Sequence, residues 1–165
     1  MIHQAQRGFT LLEMVLVMIL VGILSAVALP RLVTKDYESA FFKDGLINGL
    51  RYGEKIAVAS RRDVGVIFEE GAYYMRLRED LDKDSGDFTY PILSPYPQER
   101  GQSFKIKIPK NVTFSGPDVN FYFDPTGRAR SVLTDDLMPD EVIFFVDEYR
   151  INLVTETGFI YEDRS

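Results

Sequence analysis

The chain begins with a long apolar run that contains a single carboxylate. Between Phe9 and Leu29 the only polar side chains are Thr10, Glu13 and Ser25. About 20 apolar residues at 1.5 Å each span a hydrocarbon core of about 30 Å, so the run predicts a transmembrane helix over residues 9–30. An ionisable group within such a helix is costly and usually functional. Glu13 is therefore the first candidate for a functional residue.

A helical pattern continues beyond this run. Small and apolar residues recur at three- and four-residue steps and share one face: Phe42, Leu46, Gly49, Leu50, Gly53 and Ala57. The spacing predicts that the helix extends to about residue 61, with a kink near Pro30. Each of the two glycines weakens the helix by about 1 kcal/mol relative to alanine, which favours a close approach to a sheet over a ligand groove.

After residue 63 the period changes to two, the repeat of a strand with one buried face. Val64–Phe68 and residues 72–78 predict a hairpin around Glu69-Glu70-Gly71. Further predicted strands are residues 103–108, 112–114, 119–123, 129–133, 142–146, 149–154 and 159–161. A long N-terminal helix followed by short strands indicates an α+β fold, with the helix packed against antiparallel sheet in a C-terminal globular domain.

Composition excludes several classes of function. The net charge of −6 argues against binding of nucleic acid, unless Arg76, Arg78, Lys105 and Lys107 cluster on one sheet face. There is no cysteine, and the only histidine is His3. Thiolate catalysis and cysteine-ligated zinc are therefore absent. His3 lies in the short leader ahead of the apolar run, so the rest of the chain has no histidine for the common hydrolase sites, and we expect neither an enzyme nor a cofactor. A membrane-anchored enzyme with an Asp/Glu pair is the remote alternative.

The start of the chain resembles a known processing signal. A short leader with Arg7 precedes Gly8-Phe-Thr-Leu-Leu-Glu13, and the apolar run follows. This order resembles the type III signal of type IV pilins and type II secretion pseudopilins. A secretory signal peptide fits less well, because its apolar core has only 7–15 residues and its cleavage site follows that core. Here Ala26-Val27-Ala28 lies inside the run.

The resemblance implies a specific chemistry for these residues. A prepilin peptidase would remove the leader, residues 1–8, by cutting between Gly8 and Phe9, and would N-methylate Phe9. Phe9, Thr10 and Glu13 would then form the assembly site, where Glu13 neutralises the Phe9 amine of a neighbouring subunit. A protonated Glu13 bonded within its own chain is the alternative. The implied partners are other pilin or pseudopilin subunits, the prepilin peptidase and an inner-membrane assembly platform.

The same resemblance implies a location in the bacterial inner membrane. The protein would cross once, with its N-terminus cytoplasmic and residues 31–165 forming a periplasmic pilin-like domain, before it enters a filament. The distribution of charge does not decide this orientation, since Arg7 precedes the apolar run and both Arg31 and Lys35 follow it.

The rest of the chain resembles one group within this family. Ala59-Ser60-Arg61-Arg62 leads into a strand, Phe123-Asp-Pro-Thr-Gly-Arg128 precedes another, and Thr157-Gly-Phe-Ile160 lies near the end. This order is similar to the GspH/FimT group of minor pilins and pseudopilins. The resemblance implies a structural subunit of a type II secretion pseudopilus or a type IV pilus. Residues 51–57 depart from the pattern of that group, so another minor pilin class, or an adhesion or DNA-uptake pilin, stays an alternative.

Residues 79–102 are the least regular part of the sequence. Asp80, Asp82 and Asp84 are weak candidates for a metal site, because Ser85 and Pro91 stand where a calcium loop requires glycine and glutamate. A solvated acidic loop is the favoured interpretation. The apolar side chains that follow would either cover the core or form a contact surface: Tyr90, Ile92, Leu93 and Tyr96.

Overall fold

The computed structural model of the chain describes residues 10–68, 74–79, 88–118 and 120–163. It divides into two compact units, Met1–Tyr37 and Glu38–Ser165. A single helix, α1 (Leu11–Ser60), runs through the first unit into the second. The helical continuation predicted beyond Pro30 is therefore confirmed, while the kink near this residue stays a prediction.

The second unit contains ten strands among the described residues, in two antiparallel sheets. The strands in chain order are β1 (Val64–Phe68), β2 (Tyr74–Glu79), β3 (Tyr90–Pro91), β4 (Lys105–Lys107), β5 (Phe114–Ser115), β6 (Phe121–Phe123), β7 (Ala129–Ser131), β8 (Glu141–Val146), β9 (Tyr149–Val154) and β10 (Phe159–Asp163). A short 3-10 helix, Pro97–Glu99, lies between β3 and β4. The α+β class and the antiparallel sheet predicted from the sequence are confirmed.

The first sheet has the order β3-β2-β1-β6-β7, and β4 pairs with β2 on the same side as β3. The hairpin of β1 and β2 pairs Val66 with Leu77, and both side chains are fully buried. The turn of this hairpin lies outside the described residues. β4 pairs Ile106 with Met75, and its two lysines are exposed, as the alternation in the sequence predicts.

The second sheet has the order β10-β9-β8-β5. In β8 the side chains of Val142, Phe144 and Val146 are buried, and those of Glu141 and Phe145 are exposed. The inner faces of the two sheets meet through aromatic rings. The ring centroids of Phe121 and Phe144 lie 6.2 Å apart, which is within the usual distance of an aromatic pair.

The part of α1 within the second unit packs against both sheets. Phe42, Leu46, Leu50 and Ala57 are buried, as the helical pattern predicts. A Cβ atom at Gly53 would lie 3.0 Å from Leu77 Cδ2 and 3.6 Å from Phe123, so the absence of a side chain lets the helix approach the first sheet closely. The sheet-packing interpretation of this glycine is confirmed.

Polar contacts attach the same helix to the last strand. Arg51 Nη2 donates a hydrogen bond to the carbonyl oxygen of Ile160 at 2.9 Å. Lys43 Nζ donates to Glu162 Oε2 at 2.9 Å and lies 4.7 Å from the centre of the Tyr149 ring. Burial opposes the charge of Lys43, but the carboxylates of Glu162 and Asp44 together outweigh it and raise the pKa of Lys43. The helix therefore covers the free edge of β10, which limits pairing of that edge with another chain.

Candidate assembly site

Thr10 is the N-terminal cap of α1. Its side-chain oxygen accepts a hydrogen bond from the backbone N–H of Glu13 at 3.3 Å, and its carbonyl oxygen accepts one from Met14 N at 3.2 Å. The first contact satisfies a backbone N–H that has no partner within the helix, and the second is the first backbone hydrogen bond of the helix itself. The structure thus brings together two of the three predicted assembly residues, Thr10 and Glu13.

The sequence contained a signal for this cap. A Thr followed three residues later by a Glu, ahead of an apolar run, is the pattern of a capping box. Thr10 and Glu13 fit this pattern. The resemblance to the pilin signal placed Thr10 in the assembly site but gave no physical role for its side chain. Gly8 and Phe9, the predicted cleavage site, lie outside the described residues.

The first turns of α1 present an apolar surface. Every described side chain from Thr10 to Ser25 is exposed, with exposed fractions of 82% for Leu11 and 72% for Met18. A contiguous apolar surface of this length needs a partner or a lipid environment to cover it. Glu13 is the only charged side chain within it.

Within the described part of the chain, no helix combines the length and the apolar character needed to cross a membrane. Phe9, where the predicted transmembrane segment starts, is not among the described residues.

The predicted surface residues of the irregular region have different positions. Ile92 is buried in the core, whereas Tyr90, Leu93 and Tyr96 are exposed. Ile92 therefore covers the core, whereas the three other side chains are accessible, and their role as a contact surface stays a prediction. Asp80, Asp82 and Asp84 lie outside the described residues, and no cluster of metal-binding side chains occurs among the residues that are described.

Asp124 organises the turn between β6 and β7. Its carboxylate accepts hydrogen bonds from the Thr126 hydroxyl at 2.5 Å, from the backbone N–H of Thr126 and of Arg128, and from Arg130 Nε at 3.2 Å. Burial favours the neutral carboxyl, but these hydrogen bonds outweigh it and lower the pKa of Asp124. This turn is Asp-Pro-Thr-Gly-Arg, one of the segments that resembles the GspH/FimT group.

The lysines considered for nucleic acid binding lie at one edge of the first sheet. Lys105 and Lys107 are exposed on β4, and the backbone of Arg76 pairs with that of Lys105. Two acidic residues, Asp44 and Glu99, line the same groove as these lysines. Among the side chains that the structure describes, this edge is therefore of mixed charge, and the clustering of Arg76 and Arg78 with the two lysines stays untested.

Comparisons with known proteins give a match for the N-terminal segment and another for the globular domain. The prokaryotic N-terminal methylation motif matches residues 3–29. No protein of curated function matched the sequence.

Two solved structures are similar to the chain, and both are of the minor pseudopilin EpsH from the type II secretion system of Vibrio cholerae. The first has a TM-score of 0.52 at 12% identity and covers 76% of this chain and 96% of EpsH. The second has a TM-score of 0.53 at 12% identity and covers 80% and 99%, respectively. At this identity the similarity establishes the fold. The chain thus combines a match to the prokaryotic N-terminal methylation motif with a globular domain that has the fold of a minor pseudopilin.

Proposed function

We propose that this protein is a minor pseudopilin or pilin, a non-enzymatic structural subunit of a type II secretion pseudopilus or a type IV pilus. One observation carries the proposal: the methylation motif at residues 3–29 is joined to a globular domain with the fold of a minor pseudopilin. Neither feature alone is sufficient, because the motif covers a short segment and the similarity of structure concerns the fold.

The processing step follows from the motif. A prepilin peptidase cleaves between Gly8 and Phe9 and methylates the new amino group of Phe9. Glycine suits the position before the cut, because a residue without a side chain lets the backbone enter a narrow protease cleft. The segment 9–30 then anchors the subunit in the inner membrane, with residues 31–165 in the periplasm.

The geometry of the first turn supports an assembly role for Glu13. The backbone N–H groups at the start of a helix carry partial positive charge, which favours a carboxylate there and disfavours a cationic amine. In the mature chain the Phe9 amine adjoins this same positive end. A carboxylate from a neighbouring subunit offsets that charge, and two opposite charges lose much of their desolvation penalty when they pair. Glu13 is the group in the described apolar segment that can do this.

The experiment that tests this function is the intact mass of the protein from a host that has a prepilin peptidase. We expect the loss of residues 1–8 and the addition of one methyl group. Gly8→Ala should slow cleavage, and larger residues at this position should block it. A full-length product in such a host, or cleavage near Ala28, would refute the assignment.

A further inference from the structure

An apolar groove opens in the globular domain between the end of β7 and the start of β8. Its volume is about 600 Å³, and its apolar lining includes Leu137, Met138 and Ile143. Leu137 is 41% exposed, so the groove is accessible from solvent. It is large enough for one or two side chains of a partner.

The charged residues along this groove all have the same sign. They are Asp118, Asp136 and Glu141, which are exposed, and neither lysine nor arginine lines the groove. The ion pairs between described residues do not include any of the three. The groove beside β4 is a useful contrast, because there Asp44 and Glu99 are balanced by Lys105 and Lys107.

Hydrogen bonds hold the wall of the acidic groove in place. Arg130 Nη1 donates to the carbonyl oxygen of Asp135 at 2.7 Å, and the Tyr122 hydroxyl donates to the Asp135 carboxylate. Met138 N donates to the carbonyl oxygen of Ala129 at 3.1 Å. A preformed groove lowers the conformational cost of binding.

The combination of acidic and apolar residues in this groove indicates what kind of ligand it binds. The three acids do not converge into a cluster that could hold a metal ion, since no such cluster occurs among the described residues. They instead line an apolar surface, which fits a segment that carries cationic side chains close to an apolar one. A polypeptide segment with lysine or arginine next to an apolar residue has this pattern.

We propose that this groove docks an extended basic-apolar segment of a different subunit of the filament. The identity of the partner as a filament subunit rests on the proposed function, whereas the chemistry of the segment rests on the groove alone. The partner places an apolar side chain against Leu137 and Ile143, and its cationic side chains meet Asp118 and Asp136.

A photocrosslinking amino acid at position 137 of the full-length chain, in a host that assembles the filament, tests the proposal. We expect an adduct with another subunit, and peptide mass spectrometry should locate it within a few residues of a lysine or arginine. Position 133 is the matched control, because Leu133 is 77% exposed in the same loop but does not line the groove. This control should give little or no adduct.

Charge reversal tests the electrostatic part. The double substitution of Asp118→Lys and Asp136→Lys should lower the adduct yield by about tenfold or more, because like charges across an interface are strongly unfavourable. Asp140→Lys is the control, since this acid is exposed and lies outside the groove. Circular dichroism of each variant ensures that a lost adduct does not reflect a lost fold.

Several outcomes would overturn the proposal: no adduct at position 137, an adduct with lipid or with a second copy of this chain, or an adduct that survives charge reversal. The mass of the crosslinked protein shows whether residues 1–8 have been removed, so failure of the groove proposal can be distinguished from failure of the proposed function. A chain that retains residues 1–8 but crosslinks to a basic segment would refute the filament role and support the groove. A processed chain without the adduct would refute the groove proposal and leave the filament role supported.

Discussion

A hydrogen bond joins Thr10 and Glu13 at the first turn of the helix. Thr10 is the cap, and its side-chain oxygen accepts from the backbone N–H of Glu13. This contact fixes the backbone of Glu13, so its carboxylate leaves the helix at a defined position. Such positioning matters if the carboxylate must meet an amine on another subunit. The role of Thr10 is then to orient Glu13, and it can be separated from the charge of Glu13 by substitution.

Replacement of Glu13 by alanine should affect assembly and leave the earlier steps intact. Removal of a carboxylate eases insertion into hydrocarbon, so Glu13→Ala should be cleaved, methylated and inserted in the membrane but absent from purified filaments. Glu13→Asp shortens the side chain by one methylene and should give a partial defect. Thr10→Ser keeps a capping oxygen and is the control, which should assemble normally. Normal secretion or piliation with Glu13→Ala would contradict the pairing mechanism.

Two glycines allow the cost of backbone strain to be measured apart from the cost of a steric clash. Gly101 and Gly158 both have positive φ angles, of 83° and 69°, but a Cβ atom at Gly101 meets nothing within 4 Å. At Gly158 it would lie 2.4 Å from the carbonyl oxygen of Gly127. We expect Gly101→Ala to lower the free energy of unfolding by about 1–2 kcal/mol from the left-handed conformation alone.

Gly158→Ala should be clearly more destabilising than Gly101→Ala, because the two turns must also move apart. Urea unfolding followed by circular dichroism measures both variants under the same conditions. Equal losses of stability would mean that the contact between the turns at Gly127 and Gly158 does not constrain the fold.

At the scale of helices and strands, the sequence predicts those elements that are long enough to show a regular repeat of apolar residues. The buried face of α1 follows from a pattern of period 3.6, and the bounds of β9 follow from the alternation of apolar Ile151 and Leu153 with polar Arg150 and Asn152. β3 and the 3-10 helix at Pro97–Glu99 have too few residues to show a period, so no pattern reveals them. The groove is likewise hidden, since Asp118 and Asp136 come together only when the segments before β6 and after β7 fold. Acids interleaved with apolar residues at 132–143 were the available signal.

One charged side chain of α1 lies against two turns of the sheets. A Cβ atom at Gly127 would be 3.2 Å from Glu54 Oε1, and one at Gly158 would be 3.0 Å from Glu54 Cγ. Burial raises the pKa of Glu54, partly opposed by the charge of Lys55. A raised carboxyl pKa means that the folded state holds the proton more tightly than the unfolded state. Ionisation of Glu54 therefore reduces stability as the pH rises through its folded pKa.

Glu54→Gln should consequently be more stable than the wild type at pH 7, and this difference should vanish near pH 3, where the carboxyl is protonated in both states. Melting temperatures across this pH range measure the effect. Asp124→Asn provides the opposite case, because the lowered pKa of Asp124 stabilises the fold above its unfolded pKa and this contribution is lost in acid. A difference at Glu54 that grows on acidification would contradict the assignment.

At the scale of the whole molecule, the second unit has its own core. Its buried residues come from both sheets and from the second half of α1, and apolar packing of this kind supplies most of the stability of a domain. We expect a fragment that begins near Val33 to be folded and monomeric without reductant, metal or cofactor. A chelator should leave its melting temperature unchanged. A clear decrease would instead support calcium binding at Asp80, Asp82 and Asp84.

The contacts between α1 and β10 join residues that are far apart in the sequence. Lys43 and Glu162 are separated by 119 positions, and Arg51 and Ile160 by 109. Pairings of such long range form slowly and only when the whole chain is available. During synthesis the helix emerges well before β10, so this part of the domain stays open until β10 has been made. The export that we propose for this domain would benefit from the delay, since transport of an extended polypeptide precedes closure of the domain.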